Sequence, residues 1–283
     1  MTALLQSDAI ARATANLQPI SLEDMNSQAA LQTRMDRKYV LSAAQGADLV
    51  SWISDEIPCA QVLEVQHEHA SLYDSMYYAT ESLTCFRLAL QQNRRRYKVR
   101  TRCYCDSGDS FLETKTKSPN GKTVKHRIPW NEDWNIEDET PSDFLTESLA
   151  ETPFSANHDE WGQPIASQHL SPVLRTVYFR TTLLLPEDNA RLTMDQELRW
   201  QDPSGRWIEA PGGVILETKT AGDASAVDHF LWRRGQRPIP SSKYAIGISL
   251  MNPALPTQRW TRATARLDAH ALNEGTHHAI FES

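Results

Sequence analysis

Lysine and arginine recur at every second position in several short stretches of this chain. Arg34, Asp36 and Lys38 alternate, as do Lys98, Arg100 and Arg102, then Glu113, Lys115 and Lys117, then Lys125 and Arg127. Later, Arg191, Asp195, Glu197 and Arg199 share one parity, and Glu217 stands two before Lys219. Arginine offers a planar fork suited to a pair of phosphate oxygens, and lysine a compact point charge. The few carboxylates among them are the hard donors that a divalent cation takes, in ones or twos, alongside phosphate oxygens. The chemistry such a set could serve is phosphoryl transfer, which asks for alignment and charge neutralisation more than for covalent catalysis.

A period of two is strand behaviour, so these residues predict strands with one charged and one apolar face. One reading is the solvated face of a half-exposed antiparallel sheet. The other is a closed barrel whose apolar face packs outward under helices and whose lumen is charged. Crowding cations around a lumen repels strongly unless a polyanion and a metal are expected there. Helices are predicted where caps stand: after Ser21, after Ser42 with Gln45 in the capping-box place, near 141–149, and after Ser225 with Asp228 at its third position, ending at Gly235.

The 283 residues are 40% hydrophobic and 23% charged, enough for a buried core. A net charge of −7 argues against a general nucleic-acid binder, yet Arg94–Arg127 holds eleven Lys or Arg against three acids. Residues 131–160 carry ten acids and neither Lys nor Arg. Positive charge gathered this way in an acidic chain aims at an anion. The four cysteines lack zinc-ligand spacing, and the histidines form no HExxH pattern. No apolar run approaches the ~18 residues of a membrane span, and the opening residues do not read as a secretory signal. Gly121-Lys122-Thr123 lacks the leading glycine of a P-loop and reads as a strand-joining turn. Base-stacking aromatics are sparse among the cations of 94–102.

Taken in order, the charged stretches are Arg34-Met35-Asp36-Arg37-Lys38-Tyr39, Lys98 to Tyr104, Phe111 to Lys115 followed by Lys125, Leu174 to Thr181 with Arg180, Arg191 to Asp195, Ile215 to Lys219, and Ser242-Lys243-Tyr244. This series, from about Ile20 to Pro253, resembles the VTC domain, the polyphosphate polymerase branch of the triphosphate tunnel metalloenzymes. The resemblance implies an α+β fold, an antiparallel eight-stranded barrel with helices outside, spanning 20–260. Residues 1–19 would form a lead, 131–170 an acidic excursion and 261–283 a tail. It implies Mn2+ or Mg2+, ATP or another nucleoside triphosphate as donor, and transfer of its γ-phosphoryl to inorganic polyphosphate. By position, Lys38, Arg100, Arg102, Lys115 and Arg180 would be catalytic. Lys125, Arg191, Lys219, Ser242 and Lys243 would bind substrate. Glu217 matches the family's metal-binding glutamate, with Asp36, Glu113, Asp195 and Glu197 to orient metal-bound water or basic side chains.

Pro240 stands where well-known members carry a lysine, and Ala79 where an aspartate is common. The expected setting is cytoplasmic, with no nucleic acid and with any export of product left to a membrane partner. A metal-dependent triphosphatase and a non-catalytic polyphosphate- or nucleotide-binding module are the alternatives. The hydrolytic branch opens with Glu-x-Glu-x-Lys, and the first stretch here has one acid.

Overall fold

The structure, a computed structural model, describes residues 10–28, 35–118, 121–150 and 170–272. Its strands are β1 (Gln18–Ile20), β2 (Met35–Ser42), β3 (Gln61–Leu63), β4 (Ala70–Ala79), β5 (Lys98–Tyr104), β6 (Asp109–Lys117), β7 (Thr123–Pro129), β8 (Ser171–Leu185), β9 (Ala190–Gln201), β10 (Trp207–Ala210), β11 (Gly213–Thr220) and β12 (His270–Ala271). The helices are α1 (Leu22–Gln28), α2 (Ala43–Glu56), α3 (Thr84–Leu90), α4 (Glu139–Ala150), α5 (Ala226–Arg233), α6 (Lys243–Met251) and α7 (Thr261–Leu267). Arg34 and residues 151–169 of the acidic excursion lie outside the described residues.

Caps start the helices where the sequence places them. Ser21 Oγ accepts from Asp24 N at 3.0 Å. Ser42 and Gln45 form a reciprocal capping box at α2, and Ser225 with Asp228 another at α5. Gly235 follows α5 at φ 73°, the left-handed position that favours glycine.

Eight strands run in one antiparallel path, β2-β11-β9-β8-β4-β5-β6-β7, each hydrogen-bonded to the next. The closed barrel is corrected: this sheet is open. β2 and β7, at the two ends of the path, are not paired with one another among the described residues. The Lys38 carbonyl of β2 instead takes the Ile239 N–H at 2.8 Å, so the segment before α6 lies against that strand. Nor is the sheet wholly antiparallel, because β1 and β3 pair in parallel and join it through β8.

The outer face of β2, β11 and β9 is apolar and helix-covered, as the alternation predicts. Tyr39, Leu41, Leu192, Met194, Val214 and Leu216 pack with Leu49, Val50 and Ile53 of α2 and Val227, Phe230 and Leu231 of α5. Within this core the fully buried Asp228 accepts from Tyr39 Oη at 2.6 Å and Thr218 Oγ1 at 2.8 Å. Helix α6 is nearly all buried, packed with Leu174, Tyr178, Leu198 and Trp200. A Cβ at Gly247 would fall 2.3 Å from Trp200 Cδ1, so only glycine lets the helix backbone lie on that indole. Trp200 Nε1 then donates to the Lys243 carbonyl at 3.0 Å, fixing the start of α6.

The alternation along β9 needs a second correction. Simple parity puts Glu197 and Arg199 on the Asp195 face. The β8–β9 pairing jumps from Val177–Arg199 to Phe179–Gln196, and Glu197 sits at φ 51°. This bulge inserts an extra residue and reverses the phase beyond it. Leu198 and Trp200 therefore join the core under α6, whereas Leu192 and Met194 pack under α2 and α5.

Residues 261–267, placed in the tail by the sequence, form α7 with Ala263 and Leu267 buried, and β12 pairs with β10. Among the described residues no helix is long and apolar enough to cross a membrane.

Candidate functional site

The concave face of the eight-strand path encloses a cavity of about 350 Å³. Each strand of the path lends at least one side chain, because the residues with cavity parity are those that alternate as charges in the sequence. Asp36 and Lys38 come from β2, Glu217 and Lys219 from β11, Asp195 from β9, and Arg180 from β8. Tyr77 comes from β4, Lys98, Arg100 and Arg102 from β5, Lys115 and Lys117 from β6, and Lys125 from β7. Lys243 reaches in from the first turn of α6 rather than from a strand. Among the described residues, eleven Lys and Arg line this space with three carboxylates.

Three acids hold most of the cations, each bridging two. Glu113, wholly buried on the same face of β6 as Lys115, takes Arg100 through Nε at 2.8 Å and Nη2 at 2.6 Å, and pairs with Lys125. Asp195 takes Arg180 Nε at 2.6 Å and Nη2 at 2.9 Å, and pairs with Lys243. Glu217 pairs with Lys38, and with Lys219 at 3.4 Å. Strand register makes these bridges: Arg100 stands opposite Glu113, Arg180 opposite Asp195 and Lys38 opposite Glu217. Burial alone would raise the three carboxyls. Arg100, Arg102 and Lys125 instead hold Glu113 down to about 2, Arg180 and Lys243 hold Asp195 well below its usual value, and Lys38 and Lys219 do the same to Glu217. All three are ionised and poor bases.

The β5–β6–β7 wall is different. Lys98 stands opposite Lys115, and Lys115 opposite Lys125, a row of three ammonium side chains across adjacent strands. Like charges placed this way destabilise a sheet. Lys115 has neither an ion pair nor a hydrogen bond among the described residues; Arg100 and then burial push it well below the usual lysine value. Among the described residues Lys98 donates only to Ser242 Oγ, at 2.7 Å, and burial lowers it to about 8. Lys243, its ammonium 4.2 Å from the Tyr178 ring centroid, is also lowered by burial to about 8. Arg102 donates to Ser75 Oγ at 3.1 Å and Tyr178 Oη at 3.0 Å, both neutral acceptors. The uncompensated charge thus collects at Lys98, Lys115 and Arg102.

Of the residues singled out by sequence, twelve line the cavity. Glu113, Arg191 and Glu197 are outside the lining. Arg191 on β9 stands directly opposite Lys219 on β11. Glu197 is turned away by the bulge and lies 3.8 Å from Arg199, which faces Glu209 at 3.9 Å. Lys98, Lys117, Arg96 and Tyr77 line the cavity without having been singled out as site residues. Parity along β5 and β6 could have added Lys98 and Lys117, and the same parity carried two residues before β5 reaches Arg96. Tyr77 accepts from Arg100 Nη1 at 3.1 Å. Burial would raise its phenol, yet Arg100, Lys98, Arg102 and Lys243 together draw it down to about 8.

No group of three or more His, Cys, Asp or Glu side chains converges as a metal cage among the described residues. Glu217 and Asp36 are cross-strand diagonal neighbours on the cavity wall. A pair of this kind fits Mg2+ or Mn2+, which take one or two protein carboxylates and leave the other positions to substrate phosphates and water.

No curated protein matches this sequence. Among solved structures, a candidate adenylate cyclase of Vibrio parahaemolyticus is 13% identical, over 76% of this chain and 98% of its own, with a TM-score of 0.40. One from Bacillus halodurans is 13% identical over 74% and 94%, at 0.41. A Hippeastrum adenylyl cyclase candidate, described as having a dominant triphosphatase activity, is 14% identical over 77% and 96%, at 0.41. Similarity at this level carries no inference about this chain's activity. The VTC domain family profile, in contrast, matches residues 33–252, more than three quarters of the chain. On that match the chain belongs to the VTC domain family.

Proposed function

We propose that this protein is a polyphosphate polymerase that moves the γ-phosphoryl group of a nucleoside triphosphate onto an inorganic polyphosphate end. The observation that carries this reading is the state of three acids in and beside the cavity. Glu113, Asp195 and Glu217 are each neutralised by two cations and held below the normal carboxylate range. Among the described residues, no histidine or cysteine lines the space. These carboxylates are poorly equipped to deprotonate water or an alcohol. The site suits an acceptor that arrives already anionic, and a terminal phosphate oxygen is one.

The chain's own residues would act by position and charge. The row Lys98, Lys115 and Lys125, with Arg100 and Arg102, would hold successive phosphates along the β5–β6–β7 wall. Arg180 and Lys243, aligned by Asp195, would grip the phosphates nearest α6. As the bond between the γ-phosphorus and the β,γ-bridging oxygen breaks, its electron pair leaves with the nucleoside diphosphate. The new bond forms to the acceptor oxygen, and the chain lengthens by one phosphate. Charge neutralisation at the leaving oxygen is where fixed cations contribute most. Mg2+ or Mn2+ at Glu217 and Asp36 would add positive charge there. The carboxylates beside them set the cations' geometry rather than moving protons.

Incubation of the purified chain with ATP and Mn2+ or Mg2+ should yield ADP in step with a polyphosphate ladder on a gel. Orthophosphate release without chain growth would make the protein a triphosphatase. Binding of tripolyphosphate with no turnover would make it a binding module.

A further inference from the structure

The concave face continues beyond the charged cavity as an aromatic shelf. Tyr178, Tyr73 and Tyr104 stand directly opposite one another across β8, β4 and β5, and Phe111 on β6 is opposite Arg102. The Tyr73 ring lies 5.4 Å from Tyr178 and 5.0 Å from Tyr104, and Tyr104 lies 5.9 Å from Phe111. Tyr73 and Tyr178 are buried, whereas Tyr104 and Phe111 remain partly open. At the rim of the shelf the exposed Arg127 of β7 lays its guanidinium 4.4 Å from the Phe111 ring centroid.

We infer that this Phe111–Arg127 stack, edged by Tyr104, is the platform for the nucleobase of the phosphoryl donor. The inference rests on the proposed function and names which end of the site takes the nucleoside. A planar guanidinium backed by an aromatic ring presents a surface on which any base can stack. Its position suits a nucleotide. Arg127 stands opposite Glu113, the partner of Arg100, and two residues along β7 from Lys125. Two strand residues span about 6.8 Å, a separation that a ribose and its first phosphate can bridge. Phosphates on the cations of β5–β7 and a base on the shelf therefore belong to one ligand. The other rings of the shelf already carry partners: Arg180 lies 4.9 Å and Arg102 5.3 Å from the Tyr73 centroid. A chain of phosphates alone has no use for Phe111.

The experiment compares ATP with inorganic tripolyphosphate, which has the anionic chain and no base, by calorimetric titration with Mg2+. Arg127→Lys keeps the charge and removes the stacking plane; Phe111→Leu keeps apolar volume and removes the ring. Each should weaken ATP by about five-fold or more and leave tripolyphosphate within two-fold, with an unchanged melting temperature for Arg127→Lys. Equal loss for both ligands would mean that Arg127 is only another cation, and loss for neither would mean that the shelf is unused; either overturns the inference alone. Should wild-type protein bind neither ATP nor tripolyphosphate, the proposed function fails and takes this inference with it.

Discussion

Lys98 and Lys115 face one another across β5 and β6, and neither ammonium forms an ion pair among the described residues. A folded chain keeps such an arrangement against its own stability. The opposed lysines cost energy in the free protein and would gain it back if an anion lay between them.

Removing one charge should therefore separate stability from binding. Lys115→Met should leave the free protein as stable or up to about 1 kcal/mol more stable in phosphate-free buffer, since like charges directly opposite are destabilising by such amounts. Tripolyphosphate affinity should fall by about ten-fold or more, the value of a hydrogen bond from a charged donor. Denaturant unfolding and titration calorimetry read the two quantities. A destabilised variant with intact binding would contradict the assignment of the row.

The buried lysines give opposite pH trends for binding and for folding. Burial lowers Lys98 and Lys243 to about 8, below the ordinary lysine value of about 10.4. Between those values the unfolded chain binds more protons than the folded one, so the contribution of these groups to stability increases with pH. Anion binding needs the protonated forms and weakens as pH rises through 8. For turnover, kcat/KM should fall with an apparent pKa near 8, because it reports the free enzyme. The fall in kcat should come at higher pH, since bound phosphate stabilises the ammonium forms. A flat kcat/KM profile from pH 7 to 9.5 would count against both lysines.

Glu217 is the residue whose change should split catalysis from binding. Glu217→Gln should cut ADP formation by about 100-fold or more, several kcal/mol of charge stabilisation if it holds the cation. Polyphosphate binding should persist or tighten, because Lys38 and Lys219 lose their carboxylate partner. A variant with unchanged turnover would remove Glu217 from the site.

Asp195 tests the scaffold of the site. Its carboxylate is almost entirely buried between Arg180 and Lys243. Asp195→Asn should lower stability by about 3–5 kcal/mol, the cost of leaving buried charge without its partner. Saturating tripolyphosphate should restore part of the loss, since an anion replaces the missing charge. Melting curves with and without the ligand decide it.

Gly247→Ala should destabilise the chain by about 1–3 kcal/mol through overpacking, because the new methyl meets Trp200 and Leu174. Shifting the start of α6 would also move Lys243. A rise in KM for the donor should accompany the drop in denaturation midpoint.

The α+β class came with the resemblance to the VTC domain; parity and capping patterns by themselves determined the charged strand faces and the capped helices at Ser42 and Ser225. Short-range rules suffice there: alternation fixes which side chains share a face, and a cap is satisfied within three residues. The sequence also marked Arg100, Lys115, Arg180, Glu217 and Lys243, whose stretches keep a fixed order. Tertiary structure decided what parity cannot. A single bulge at Glu197 reverses β9, taking Glu197 away from the cavity and bringing Trp200 to α6. Whether β2 meets β7 depends on a competing contact 201 residues away from Lys38, the Ile239 amide. Which acid pairs with which cation follows from strand register, and register joins Arg100 to Glu113 and Lys38 to Glu217 across separations that no local pattern encodes.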